Sequence, residues 1–185
     1  MKEKILVVAA HPDDDLLGCG GTLKNYTKQK IDVNVVYFTD GVSSRKYTNK
    51  KDQLKRKLDS DIAAKIIGYK SVSYFNLKDQ RLEEYPILEL IQKLEKIIMR
   101  IKPSIIFTHF HNDLNIDHQI VNKTVLTATR PNQNYTCKKI LFFEVLSSTE
   151  WNFSNGSNFD PNYFVNIEKT IDFKIKAFKK YTKEI

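Results

Sequence analysis

Only two of the 185 residues are cysteine, at positions 19 and 137, and proline, glycine and tryptophan number five, six and one. Two thiols so far apart in sequence make neither a disulfide framework nor a thiolate metal cage, and they fit a reducing, cytoplasmic compartment. So little Pro and Gly excludes collagenous and low-complexity chains. Long apolar runs are also missing: stretches such as residues 5–10 and 105–107 fall far short of the roughly 18 residues a spanning helix needs. No small-residue cleavage site follows the N-terminal apolar segment, so no secretory signal is expected. What is in excess is positive charge, 30 Lys and Arg against 22 Asp and Glu, a net +8 with a pI near 9.3. The lysines are dispersed, with clusters such as Lys50-Lys51 and residues 174–183, and carry no nucleic-acid motif. They read as solvated helix faces that steer small anions rather than as a specific nucleic-acid surface. The length fits one domain, residues 1–185.

Residues 5–10 are apolar, partly β-branched and end in a Pro and acidic turn, the pattern of a buried parallel strand. Residues 33–38 repeat it, and residues 16–28 have the length of a connecting helix, so the chain opens with a βαβ unit. In residues 49–68, Leu54, Leu58, Ile62 and Ile66 recur every four positions, predicting an amphipathic helix with that stripe toward the core and Gly68 as its C-cap. The alternation continues with a strand at 71–75, a helix at 86–101 stopped by Pro103, a strand at 104–108 and a polar loop at 109–116. A helix at 117–129, a strand at 139–145, a loop at 151–161, a strand at 163–167 and a lysine-rich terminal helix complete it. This predicts a single α/β domain of Rossmann-like, three-layer architecture, a mostly parallel sheet with helices on both faces. Segments 11–15, 39–41 and 109–118 all follow strands and should collect on the rim where such folds bind ligands.

All four histidines lie in two of those segments, His11 in one and His109, His111 and His118 in the other. Catalytic zinc takes three protein ligands and leaves a fourth position open. His11 and Asp14, three residues apart at a strand-to-helix turn, can point the same way, and His118 at a later helix start can supply the third ligand. Asp13, Asp14 and Asp15 would repel one another unless a cation or donors compensated them. Helix capping by itself asks for one Asp and no His. His109 and His111 read as loop side chains beside the site. A dinucleotide-binding fingerprint fails, because Gly18-Cys19-Gly20 is followed by Leu23 where the third glycine belongs.

The run Ala10-His11-Pro12-Asp13-Asp14-Asp15 with its following glycines resembles the LmbE-like/PIG-L family of zinc-dependent N-acetylglucosaminyl deacetylases. So do Phe38-Thr39-Asp40-Gly41, Arg56 with Asp59, and Asp113-Leu114-Asn115-Ile116-Asp117-His118. The resemblance implies a hydrolase that removes acetyl from an N-acetylated amino sugar or sugar conjugate, using water on a zinc ion, or on ferrous iron, which accepts the same ligands. It puts the metal ligands on His11, Asp14 and His118 and the general base on Asp13. Arg56 then orients substrate or base, and Asp79 receives a sugar hydroxyl. Three departures stand out. Many members have a His where this chain has Asn115, whose amide can donate to an oxyanion but carries no titrating proton. Asp117, the partner of that missing His, is left to cap the helix or to support a ligand from behind. Asp15 stands where Glu is common. Family members usually continue past the terminal helix, so a tail that closes the site is expected to be missing here. The implied partner is a small N-acetylated sugar, and a homo-oligomer is compatible with the sequence. The alternative is a weakly active member serving as a metal- and sugar-binding module.

Overall fold

The computed structural model describes residues 3–131, 135, 137–153 and 158–182. Strands β1 (Lys4–Ala9), β2 (Asp32–Thr39), β3 (Ser71–Leu77), β4 (Ile105–His109) and β5 (Lys139–Phe143) form one sheet in the order β3-β2-β1-β4-β5. Every pairing is parallel, with Val7 opposite Val35 on one side and Phe107 on the other. The chain moves outward from β1 to β3, then returns to lay β4 against β1. The carboxyl ends of β1 and β4 therefore flank the point where the order reverses, the place where open α/β sheets leave a crevice.

Side chains alternate across each strand, so β1 feeds two cores. Ile5, Val7 and Ala9 pack with Leu16 and Leu23 of helix α1 (Asp14–Lys28) and Ala63 and Ile67 of helix α2 (Lys50–Ile67). Ala177 of helix α5 (Ile171–Phe178) joins that face. Leu6, Val8 and Ala10 pack with Leu90, Leu94 and Ile98 of helix α3 (Ile87–Ile101) and Val121 and Val125 of helix α4 (Ile116–Ala128). Burying each such aliphatic side chain contributes roughly 1.5 to 3 kcal/mol. Helices thus cover both faces as expected, and no helix among the described residues is long and apolar enough to cross a membrane.

Two expectations are corrected. Helix α2 is capped as predicted, by an Asn49 capping box and a left-handed Gly68 at φ 96°, but it turns a different face inward. Leu54 and Leu58 are 69% and 58% exposed, whereas Arg56, Asp59, Ser60, Ala63, Ala64 and Ile67 are buried. Arg56 follows Leu54 by two positions, roughly 200° around a helix. The small Ser60, Ala63 and Ala64 let the helix sit close to the sheet, and that approach carries Arg56 to the rim. The second correction concerns residues 163–167, which pair with no strand. They cross α1 instead, where the carbonyl of Asn166 accepts from Asn25 at 2.9 Å and Ile167 fills the space a Cβ on Gly21 would need, 2.8 Å from it. The glycines after the first motif serve packing: a Cβ on Gly18 would lie 2.3 Å from the Phe143 ring.

Candidate active site

The three successive aspartates have three different surroundings. Asp13, with φ 126°, occupies backbone space that L residues rarely adopt. Its carboxylate pairs with Nη2 of Arg56 at 2.8 Å. Arg56, expected to orient substrate or base, thus contacts Asp13 and, with His11 and His118, also lines the site cavity. Asp14 accepts from the His11 backbone N–H at 2.8 Å and faces three imidazoles. Asp15 turns away into the core and accepts from the hydroxyls of Tyr37, at 2.8 Å, and Tyr69. Repulsion within the triplet is relieved by divergence as well as by any cation.

From the other side of the switch point, His109 and the loop after it contribute a second set. His109 is the last residue of β4 and fully buried, not a loop side chain; His111 is exposed. The Ala10 N–H donates to Nε2 of His109 at 2.9 Å, and its ring stacks on His118 at 3.8 Å between centroids. Burial, followed by the neighbouring His118, pushes His109 down to about 4, so it sits neutral beneath its neighbour. Asn115 caps α4 by accepting from the Asp117 N–H at 2.9 Å, which commits its Oδ1 and leaves the amide NH2 as its donor.

Three donor atoms converge between these segments. His11 Nδ1 lies 3.1 Å from Asp14 Oδ2 and 3.2 Å from His118 Nε2, and His118 Nε2 lies 3.4 Å from Asp14 Oδ2. Tetrahedral zinc with nitrogen and oxygen ligands at about 2.0 to 2.1 Å separates its donors by roughly 3.3 Å, so this triangle fits such an ion. Carboxylates hold the opposite nitrogens. Asp117 and Asp79 each lie 3.1 Å from His11 Nε2, and Asp113 lies 3.1 Å from His118 Nδ1. Each places the ring proton on the outer nitrogen and frees the inner one for a metal. Burial works to lower both imidazoles, yet Asp14 and these carboxylates outweigh it, holding His11 well above its ordinary range and His118 at about 9. Burial works to raise Asp14, but His118, His11 and His109 keep it well below the usual carboxylate range. The donor set attracts positive charge, whether protons or an ion.

Asp79, expected on a sugar hydroxyl, lies between His11 Nε2 and the Ser44 hydroxyl and lines the cavity. Asp117 supports His11 and is itself fixed by the backbone N–H groups of Gln80 and Leu82, at 2.8 and 3.0 Å. Sequence reasoning missed Asp113, which accepts from the Asn115 N–H, from Thr149 Oγ1 and from Ser148. An acidic residue five before a histidine ligand, in a loop already rich in polar side chains, was the available signal. Thr149 and Ser148 come from beyond β5, in the segment 144–151 that shares the family resemblance without pointing to either residue. The donor triangle opens on a cavity of about 630 Å³ with His11, Asp13, Asp14, Arg56, Asn115 and His118 in its wall, within the size range of small-molecule sites.

The chain is similar to several known proteins. A 39-residue segment is 41% identical to a putative glucosamine-6-phosphate deaminase-like protein of Bacteroides thetaiotaomicron, covering 21% of this chain and 6% of that protein. Over whole folds, the chain is similar to an N,N'-diacetylchitobiose deacetylase of Pyrococcus horikoshii, with TM-score 0.81 and 21% identity over 99% of this chain and 71% of that one. It is similar also to a 4-carboxy-2-hydroxymuconate hydratase of Pseudomonas putida, with TM-score 0.75 and 20% identity over 97% and 78%. Likeness at these identities shows the shared fold, and two chemistries on it show that the site must carry the functional argument. The model of the PIG-L family, described as GlcNAc-PI de-N-acetylase, matches residues 6–129, and with two thirds of its length so matched this chain belongs to the PIG-L family.

Proposed function

We propose that this protein is a metal-dependent hydrolase that removes the acetyl group from an N-acetylated amino sugar or sugar conjugate of the N-acetylglucosamine type. The observation that carries the reading is the triangle of His11 Nδ1, Asp14 Oδ2 and His118 Nε2, with donor separations of 3.1 to 3.4 Å and Asp13 on the same cavity wall. Those three residues would hold zinc, or ferrous iron. Such an ion supplies Lewis acidity to the amide carbonyl and lowers the pKa of water toward about 7. Asp13, oriented by Arg56, takes a proton from the attacking water as its oxygen bonds to the acetyl carbon. The Asn115 amide NH2 donates to the oxyanion that develops on the carbonyl oxygen. As the C–N bond breaks, Asp13 returns its proton to the leaving nitrogen, so acetate and a free amine are the products. Cys19 and Cys137 are free thiols, which supports a cytoplasmic setting.

Metal analysis of protein purified without added metal, followed by an acetate-release assay on N-acetylglucosamine and its conjugates, tests this. We expect about one zinc or iron per chain, acetate from the loaded protein, and an Asp13→Asn variant that keeps its metal but loses on the order of 10²- to 10⁴-fold in rate. A chain that takes up no metal and releases no acetate overturns the proposal. Asn115, which carries no titrating proton, favours a second reading: metal and sugar bound with no acetate released would make this chain a binding module.

A further inference from the structure

A second cavity, of about 230 Å³, lies next to the first and shares Arg45 and Arg56 as wall residues. Its chemistry differs. The metal-side cavity is bordered by Asp13, Asp14 and Asp79, whereas Arg45, Lys46, Lys55 and Arg56 bring four cationic groups to the smaller one. Two carboxylates also line it, and both have partners at hand: Asp59 pairs with Lys55 at 3.0 Å, and Asp52 accepts from the Asn49 N–H in the α2 capping box. Tyr47 and Tyr181 supply flat apolar walls. The Arg56 guanidinium lies 4.7 Å from the Tyr181 ring centre and the Lys46 ammonium 5.4 Å from that of Tyr47. The loop carrying Arg45 and Lys46 is pinned at both ends. Asp40 accepts from the N–H groups of Val42 and Ser43, and Thr48 donates to the Val42 carbonyl at 2.7 Å. Ser44 is tied to Asp79, so the loop's position is coupled to the side chain behind His11.

We propose that this smaller cavity is a subsite for an anionic substituent on the substrate, a phosphate or a carboxylate attached to the amino sugar. With Asp13 on Arg56 counted beside Asp52 and Asp59, an anion here meets four cations and three carboxylates, a net positive potential strengthened by the positive end of the α2 dipole at Thr48 and Asp52. The shared arginine wall lets one ligand place its acetamide beside His11, Asp14 and His118 and its acid beside Lys46. A neutral N-acetylhexosamine would occupy only the first cavity. The sugar end of this assignment rests on the hydrolase reading; the anion end does not.

Calorimetric binding to the full chain, metal-free and zinc-loaded, tests it with N-acetylglucosamine, N-acetylglucosamine 1-phosphate, N-acetylmuramic acid and inorganic phosphate as probes. The exposed Lys46 is replaced in a Lys46→Glu variant, and a Lys70→Glu variant controls for general surface charge. The expected result is tighter binding of at least one acidic sugar than of N-acetylglucosamine, by about tenfold or more. Lys46→Glu should remove that advantage, leave N-acetylglucosamine unchanged and spare the fold, while Lys70→Glu removes none of it. Which acidic probe gains identifies phosphate or carboxylate. Equal affinity for neutral and acidic sugars, or an advantage that survives Lys46→Glu, overturns the subsite. Lys46-dependent binding without acetate release leaves the subsite standing and removes the hydrolase reading; acetate release indifferent to the acidic group does the reverse.

Discussion

In the turn after β1, His11 and Asp14 are three residues apart and reach one point through local geometry, with the His11 N–H donating to the carboxylate it partners. In the segment after β4, His118 is the single donor, and its orientation depends on Asp113, which is held in turn by Thr149 and Ser148 from the far side of β5. Among the described residues the opposite nitrogen of His11 has two carboxylates, Asp79 and Asp117, at 3.1 Å, whereas that of His118 has one, Asp113, at 3.1 Å, with the Ser148 hydroxyl at 3.4 Å. One half of the site is built redundantly from short-range geometry. The other rests on one outer carboxylate, Asp113, which is itself held by Asn115, Ser148 and Thr149.

The comparison breaks most completely when a donor is removed. His11→Ala and His118→Ala should each reduce zinc from about one equivalent to none by elemental analysis of the purified protein, because two remaining donors do not make a catalytic site. A retained equivalent in either variant would show that the triangle is not where the ion sits. Redundancy itself is tested by outer carboxylates. Loss of such a partner typically costs 10- to 100-fold in metal affinity, so Asp113→Asn should fall near the upper end and Asp79→Asn, with Asp117 still on His11, near the lower. Competition with a zinc chelator measures both, and equal losses would refute the asymmetry.

The smallest effect is expected at the aspartate that leaves the site. Burial raises the Asp15 carboxyl to about 6 from an ordinary 3.8, despite hydrogen bonds from Tyr69 and Tyr37. Between those values Asp15 binds more proton in the native state than in the unfolded one, so its contribution to metal-free stability falls as pH rises from about 4 to 6, against the rise contributed over the same range by His109, held at about 4. The raised carboxyl corresponds to a contribution on the order of 3 kcal/mol. Urea unfolding across that range should show stability rising more steeply, or falling less, with pH for Asp15→Asn than for the parent chain. An unchanged slope would mean that Asp15 remains ionised in the fold.

Much of this was legible in sequence. The strand and helix alternation predicted the sheet and its covering helices, because a period-2 or 3.6 pattern is a property of short windows. The clustering of His11, Asp14 and His118 was also visible. The inward face of α2 was not: the apolar period pointed to Leu54 and Leu58, but close packing favoured Ser60, Ala63 and Ala64 and the buried pair of Arg56 with Asp13. Residues 163–167 have strand-like composition, yet α1 presents Gly21 for Ile167 to fill, and the segment joins no sheet.

The sequence by itself determined the elements, their order and the residue types that can bind a metal, since these follow from backbone periodicity and side-chain chemistry over a few positions. Only the tertiary structure decided which nitrogen of each histidine faces inward, that Asp79 and Asp117 both serve His11, that Asp113 serves His118, and that Arg56 walls two adjoining cavities. Those choices depend on contacts between segments tens to more than a hundred residues apart, brought together by the reversal of strand order beside β1.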